Sequence, residues 1–322
     1  MPVKIPDALP ARSILEKENI FVMTEKRALS QDIRPLRLLI LNLMPLKSKT
    51  ETSLLRRLSN TPLQIEVDLL HMESHTSANV SSEHLTTFYK NFNAIENSTY
   101  DGLIVTGAPV ETLDFTEVDY WDELCKVFSW AKKHAFASLF LCWGAQAALH
   151  YYYGVEKYPL SSKMFGIFEH TARISDIPLT RGFDDVFKAP HSRHTEVHEE
   201  DIERIRGLQI ISSSEEAGIY IVAHEDGRQV FVFGHPEYET DTLAQEYWRD
   251  SAKGLAIDVP KHYFPHDDPT QNPIASWYAH GQLLYTNWLN YYVYQTTPYD
   301  LSLLPAAEVA EETPAKPKHK IY

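Results

Sequence analysis

Short, unbroken apolar runs alternate along the chain with stretches in which apolar residues recur every three or four positions. LRLLILNL at 36 to 43 is the first run, and its continuity predicts a strand buried on both faces of a parallel sheet. A helix is expected next, capped by Thr50 or Thr52, striped with Leu54, Leu55 and Leu58, and closed by Asn60, Thr61 and Pro62. LQIEVDLLHM at 63 to 72 predicts a second strand, and DGLIVTGAP at 101 to 109 a third that ends in a glycine turn. From Phe115 to His134 the spacing of Val118, Trp121, Leu124, Cys125 and Phe128 predicts a helix, with Cys125 on its core face. SLFLC at 138 to 142 then leads into a helix starting near Gly144.

This alternation of strand and helix predicts an α/β fold with a doubly wound, mostly parallel sheet flanked by helices. LQIISSS at 208 to 214, GIYIVAHE at 218 to 225 and QVFVFGH at 229 to 235 predict three short strands in succession, the last returning His235 to the sheet. In sheets of this kind ligands bind outside the carboxyl ends of the strands, and Gly107, Cys142 and His235 all fall at such ends.

Composition narrows the classes. With 43% hydrophobic and 12% aromatic residues the 322-residue chain can bury a large core. A net charge of -14 repels nucleic acid and anionic membranes over most of the surface, so neither is expected as a partner. Two cysteines, Cys125 and Cys142, cannot build a disulfide framework, and no Cys/His spacing suggests a zinc site, so a reducing, cytoplasmic setting without a metal is expected. Charges and prolines interrupt MPVKIPDALPARSILEKENIFVM, which gives it no signal-peptide core. Lys47, Lys49, Arg56 and Arg57 form a basic cluster that reads either as an anion-facing patch or as a solvated helix face.

Cys142 stands where an apolar strand breaks into WGAQAAL, a sharp turn that holds a thiol clear of the sheet with a helix N-terminus behind it. Gly144, Ala145, Ala147 and Ala148 are small enough for that helix to start close behind the sulfur. His235 leaves a buried strand end, and Glu237 is spaced to accept its second N–H; together the three residues read as nucleophile, base and orienting carboxylate. The backbone N–H of Trp143 and the loop at Gly107 suit an oxyanion hole. Such a site performs acyl transfer.

A strand, Cys142, a helix and a later FGHPE are similar to the class I glutamine amidotransferase fold, a flavodoxin-like architecture with a nucleophile elbow. The chain departs from that group at Phe140, where a glycine usually precedes the cysteine by two residues, and this points away from glutaminase chemistry. From Pro2 to about Leu301 the chain more closely resembles the homoserine O-acyltransferases of the MetA type. The resemblance rests on MPVKIPDALPA, LNLMPLKSKTE at 41 to 51, FLCWGAQAALH at 140 to 150, FGIFEH at 165 to 170, PHSRHTEV at 190 to 197, FGHPEYET at 233 to 240 and NWLNYYVYQTTPYDL at 287 to 301.

That resemblance implies that Cys142 carries an acyl thioester, that His235 accepts a proton with Glu237 in support, and that Lys163, Ser192 and Arg249 contact L-homoserine. It also implies a homodimer and a place in methionine synthesis. It sets the choice of acyl-CoA at residue 111. There Glu111 would repel and crowd a succinyl carboxylate but not an acetyl methyl, so acetyl-CoA is the expected co-substrate, with no resident cofactor. A succinyltransferase and a glutamine amidotransferase-like hydrolase are the alternatives. Residues 1–35 are expected to be an N-terminal extension packing on the core, 36–301 the catalytic domain and 302–322 a disordered tail. The aromatic segment from Trp277 to Tyr294 reads as core or interface.

Overall fold

The computed structural model describes residues 3–5, 22–24, 34–75, 82–174, 176–298 and 300–304. A parallel pair, β1 (Val3–Ile5) with β2 (Val22–Thr24), comes first. The elements that follow are β3 (Leu36–Leu41), α1 (Lys47–Leu58), β4 (Ile65–Leu70), α2 (Ser82–Phe88), β5 (Tyr89–Lys90), β6 (Tyr100–Val105), α3 (Trp121–His134), β7 (Ala135–Leu141) and α4 (Trp143–Tyr153). Then come β8 (Tyr158–Ala172), β9 (Val186–Glu196), β10 (Leu208–Ser214), β11 (Gly218–His224), β12 (Gln229–Val232), α5 (Thr242–Ala252) and α6 (Tyr278–Asn287). Ten of these strands form one sheet in the order β5-β4-β3-β6-β7-β12-β11-β10-β8-β9. The pairs from β5 through β12 are parallel and those from β12 through β9 antiparallel, so the expected mostly parallel, doubly wound sheet carries an antiparallel arm.

Strand alternation divides the core between the two faces. In β3, Leu39 and Leu41 join one cluster with α3 and α4, while Leu38 and Ile40 join the other with Leu54, Leu58, Leu284 and Trp288. Burying each such leucine contributes about 1.5–3 kcal/mol, so unbroken apolar runs are what a sheet covered on both faces requires. Phe140 points into the first cluster, stacked on Phe231 with ring centroids 5.1 Å apart, and is fully buried. The segment from Trp277 contributes Trp277, Tyr285 and Trp288 to the core.

Three local expectations are corrected. Neither Thr50 nor Thr52 caps α1, which begins at Lys47; their hydroxyls instead bond back to the carbonyls of Leu46 and Ser48. The helix predicted from Phe115 starts at Trp121, because Asp114 and Glu117 form a capping box around a separate 3₁₀ turn at Phe115–Glu117. Cys125 is only half-buried: Leu124, Val127, Phe128 and Ala131 form the buried stripe of α3, and Cys125 sits one residue round the helix from it. The β8–β9 hairpin gave no recognisable strand signal, since exposed and buried positions mix along β8.

Most of the N-terminal extension and residues 305–322 of the tail lie outside the described residues. Arg34 bonds the buried Asp101 through both guanidinium nitrogens, at 2.8 and 2.7 Å. No helix among the described residues is long and apolar enough to cross a membrane.

Candidate active site

β6, β7 and β12 lie side by side and parallel, so their carboxyl ends open at one edge of the sheet. Val232 is in register with Leu141. Cys142 follows directly, and its N–H bonds the Val232 carbonyl at 2.7 Å. The chain must then turn from strand to helix within one residue, and Cys142 takes φ 48°, ψ −118° to do so. That backbone costs about 1–3 kcal/mol for a residue with a Cβ, a strain held by the packing on both sides. A Cβ on Gly144 would lie 2.5 Å from the Thr106 carbonyl oxygen, so only glycine lets α4 start this close to the end of β6.

Around Cys142 the structure gathers the other residues singled out from sequence. His235 and Glu237 are buried, with His235 Nδ1 bonded to Glu237 Oε1 at 2.8 Å and the thiol of Cys142 also within hydrogen-bonding reach of the imidazole. Burial opposes the imidazolium, yet the charges of Cys142 and Glu237 more than offset it and hold His235 well above the usual histidine range. Tyr238 stacks on the imidazole, with centroids 4.0 Å apart and planes 11° from parallel, and fixes its orientation. The His235 N–H donates to the Pro190 carbonyl at 2.9 Å, which anchors the loop after β12 to β9. Gly107 lies against both partners: a Cβ there would be 3.2 Å from Cys142 Cβ and 3.7 Å from His235 Cε1. Trp143 is the first residue of α4, so its N–H has no partner within the helix.

A second group stands on β8, β9 and α5. Lys163 Nζ bonds Glu246 Oε1 at 2.5 Å, and Ser192 Oγ is 3.0 Å from each Glu246 oxygen. Arg249 is at the rim, half exposed, with its guanidinium paired to Asp250 and 3.9 Å from Glu246. Glu246 therefore joins the three residues expected to contact substrate, and sequence reasoning passed over it. The available signal was its spacing, one helical turn before Arg249 on α5.

Glu111 lies between the two groups. Its Oε1 accepts the His194 N–H at 3.0 Å, and it feels the charges of His235, Lys163 and Glu246. Burial raises its carboxyl above the usual range, and the backbone bond and the two cations only partly counter that. A cavity of about 540 Å³ opens beside it, lined by Asp114, Phe115, His150, Lys157 and His194 among others.

The basic cluster on α1 is a solvated face only in part. Lys47 and Arg57 are buried, Arg56 pairs with Glu239, Lys49 bonds Gln245 Oε1 at 2.6 Å, and Arg57 lies 4.5 Å over the Tyr278 ring. α1 thus clamps the segment that follows His235. Burial lowers Lys47 to about 8, with Glu51 opposing the shift. Among the described residues no His, Cys, Asp and Glu cluster could hold a metal ion.

The chain is 59% identical over 307 residues to a homoserine O-acetyltransferase of Petrotoga mobilis, covering 95% of this chain and 99% of that protein. It is 58% identical over 304 residues to one of Acetivibrio thermocellus, covering 94% of this chain and all of the relative. Among solved structures a glutamine amidotransferase of Thermotoga maritima is similar in fold, with a TM-score of 0.53 at 12% identity over 80% of this chain and 97% of that one. The family model described as homoserine O-succinyltransferase matches residues 2–299, and the chain belongs to that family.

Proposed function

We propose that the protein is a homoserine O-acetyltransferase that carries the acetyl group on Cys142. Cys142 Sγ attacks the thioester carbonyl of acetyl-CoA; the carbon–sulfur bond to CoA breaks and the departing thiolate takes a proton from His235. The hydroxyl of L-homoserine then attacks the acetyl-cysteine carbonyl while His235 accepts its proton, and the Cys142 thiolate leaves. Glu237, bonded to Nδ1, keeps Nε2 of His235 free for both transfers. The N–H groups of Trp143 and of the Gly107 loop face the developing oxyanion.

The second group suits a zwitterionic amino acid. Arg249 and Lys163 offer cations to its carboxylate, Ser192 a small hydroxyl, and Glu246 an anion to its ammonium. Glu246 accepts from Lys163 and Ser192 and lies 3.9 Å from Arg249. Glu246→Gln is expected to raise KM for homoserine roughly 10- to 100-fold, the loss of one charge-assisted contact, with acetylation of Cys142 unchanged. Steady-state kinetics alongside a single-turnover measurement of CoA release check this. A slowed first half-reaction would place Glu246 elsewhere in the mechanism.

Glu111 is the observation that carries the donor assignment. At about 6 Å and an effective dielectric constant near 20, two carboxylates repel by about 3 kcal/mol, roughly 100-fold in rate. Acetyl-CoA carries no such carboxylate. Glu111→Gly is expected to raise succinyl transfer by up to roughly that factor, while acetyl transfer falls or holds. Because burial raises the Glu111 carboxyl, lowering the pH neutralises it first, and the wild-type succinyl-to-acetyl rate ratio is expected to rise as pH falls. A competition assay with both thioesters over a pH series reads both effects. Unchanged selectivity in the variant would remove Glu111 as the determinant.

A further inference from the structure

The loop that carries Glu111 is seated at both ends. Gly107 packs against Cys142 and His235. At the other end the buried Phe115 stacks on Trp121 of α3, with ring centroids 5.2 Å apart, and on His150 of α4, 4.4 Å away. The stretch between has less to hold it. Val110 packs on the core and its carbonyl accepts the Leu113 N–H at 3.0 Å, but Pro109, Thr112, Leu113 and Asp114 are exposed.

Exclusion by charge works only if the charge stays in place. Repulsion between two carboxylates falls as they separate, so a succinyl group would push an unanchored Glu111 aside and escape most of the penalty. Two contacts from different elements oppose that movement. The His194 N–H of β9 holds the carboxylate through Oε1 at 3.0 Å. Lys157, in the connection between α4 and β8, holds the backbone, its Nζ donating to the carbonyls of both Glu111 and Leu113.

The Lys157 ammonium is half-buried and lies 5.1 Å from the centre of the Phe115 ring. The carboxylates of Asp114, Glu111, Glu117 and Glu156 are close enough to favour its charge. Among the described residues none of the four pairs with it, and its bonds go to the two carbonyls of the turn instead. Bonds from a charged donor are the strong ones, and two of them from one atom fix the turn that presents Glu111. Lys157 and Glu111 line the same cavity, so the clamp is part of its wall.

We propose that Lys157 is a positioning residue for donor choice: by pinning the backbone of the Glu111 turn it keeps that carboxylate at the acyl pocket, and so excludes acyl-CoA thioesters whose acyl group ends in a free carboxylate. This rests on the proposed role of Glu111 in donor choice.

A competition assay with acetyl-CoA and succinyl-CoA tests it. Lys157→Met keeps the apolar stem and removes both bonds, and is expected to raise the succinyl-to-acetyl rate ratio about tenfold, a part of the roughly 100-fold expected for Glu111→Gly. Lys157→Arg, which still donates to both carbonyls, is expected to stay within about threefold of wild type. Both rates come from one preparation, so a partly folded variant does not alter their ratio. In a Glu111→Gly background Lys157→Met is expected to add nothing, because the charge it positions is gone. A ratio in Lys157→Met at or below wild type, while Glu111→Gly shifts it, would overturn the role of Lys157 and leave that of Glu111 standing. An equal gain in both backgrounds would also overturn it, since Lys157 would then act without Glu111. An unchanged ratio in Glu111→Gly would remove the donor assignment and this inference with it.

Discussion

Cys142→Ala is expected to lower acetyl transfer by roughly 10⁴-fold or more and to abolish the release of CoA from acetyl-CoA in the absence of homoserine. The side chain lost is a single sulfur in a buried position, and alanine keeps the Cβ that fits against Gly107. The fold should therefore survive, with the strained backbone at φ 48° still imposed by β7 and α4. Circular dichroism and homoserine binding should match wild type. A variant that kept a measurable fraction of wild-type turnover would show that acyl transfer passes directly from CoA to homoserine, with no covalent intermediate.

His235→Asn is the second large effect. In the proposed mechanism the imidazole serves both half-reactions, as acid for the departing CoA and as base for the homoserine hydroxyl, and each role is worth about 10²- to 10⁴-fold. The second half-reaction should suffer more, because an alcohol is a far weaker acid than a thiol and cannot attack unaided. The acetyl-enzyme should therefore form slowly and persist in the variant, visible as a stoichiometric burst of CoA with almost no O-acetylhomoserine. Equal slowing of both halves would restrict His235 to orienting the sulfur.

The parallel half of the fold was legible because its physics is local. β3, β6 and β7 are mostly apolar and almost wholly buried, as a sheet covered on both faces demands, and the turn at Cys142 announces itself through Gly144 and the alanines after it. The triad was legible for the same reason: strand ends deliver Cys142 and His235, and Glu237 needs only two residues of chain to reach the imidazole. The β8–β9 hairpin was not. Its strands mix exposed and buried positions and carry Lys163, Ser192 and Arg193, whose partners are distant in sequence, such as Glu246 and Ala217. Glu246 was missed because a carboxylate on an amphipathic helix resembles every solvated glutamate until the hairpin is folded over it. The partners of the cluster on α1 were hidden for a related reason. Arg56, Lys49 and Arg57 meet Glu239, Gln245 and Tyr278, contacts that span most of the chain.

The most direct test is to trap the intermediate. Wild-type protein mixed with acetyl-CoA alone, and separately with succinyl-CoA alone, is quenched in acid and digested, and the peptide holding Cys142 is weighed. An acetyl group on Cys142, discharged when homoserine is added, with little or no succinyl adduct from the second mixture, is the expected result. A preferential succinyl adduct, or an acetyl group absent from Cys142 while turnover proceeds, would contradict the account.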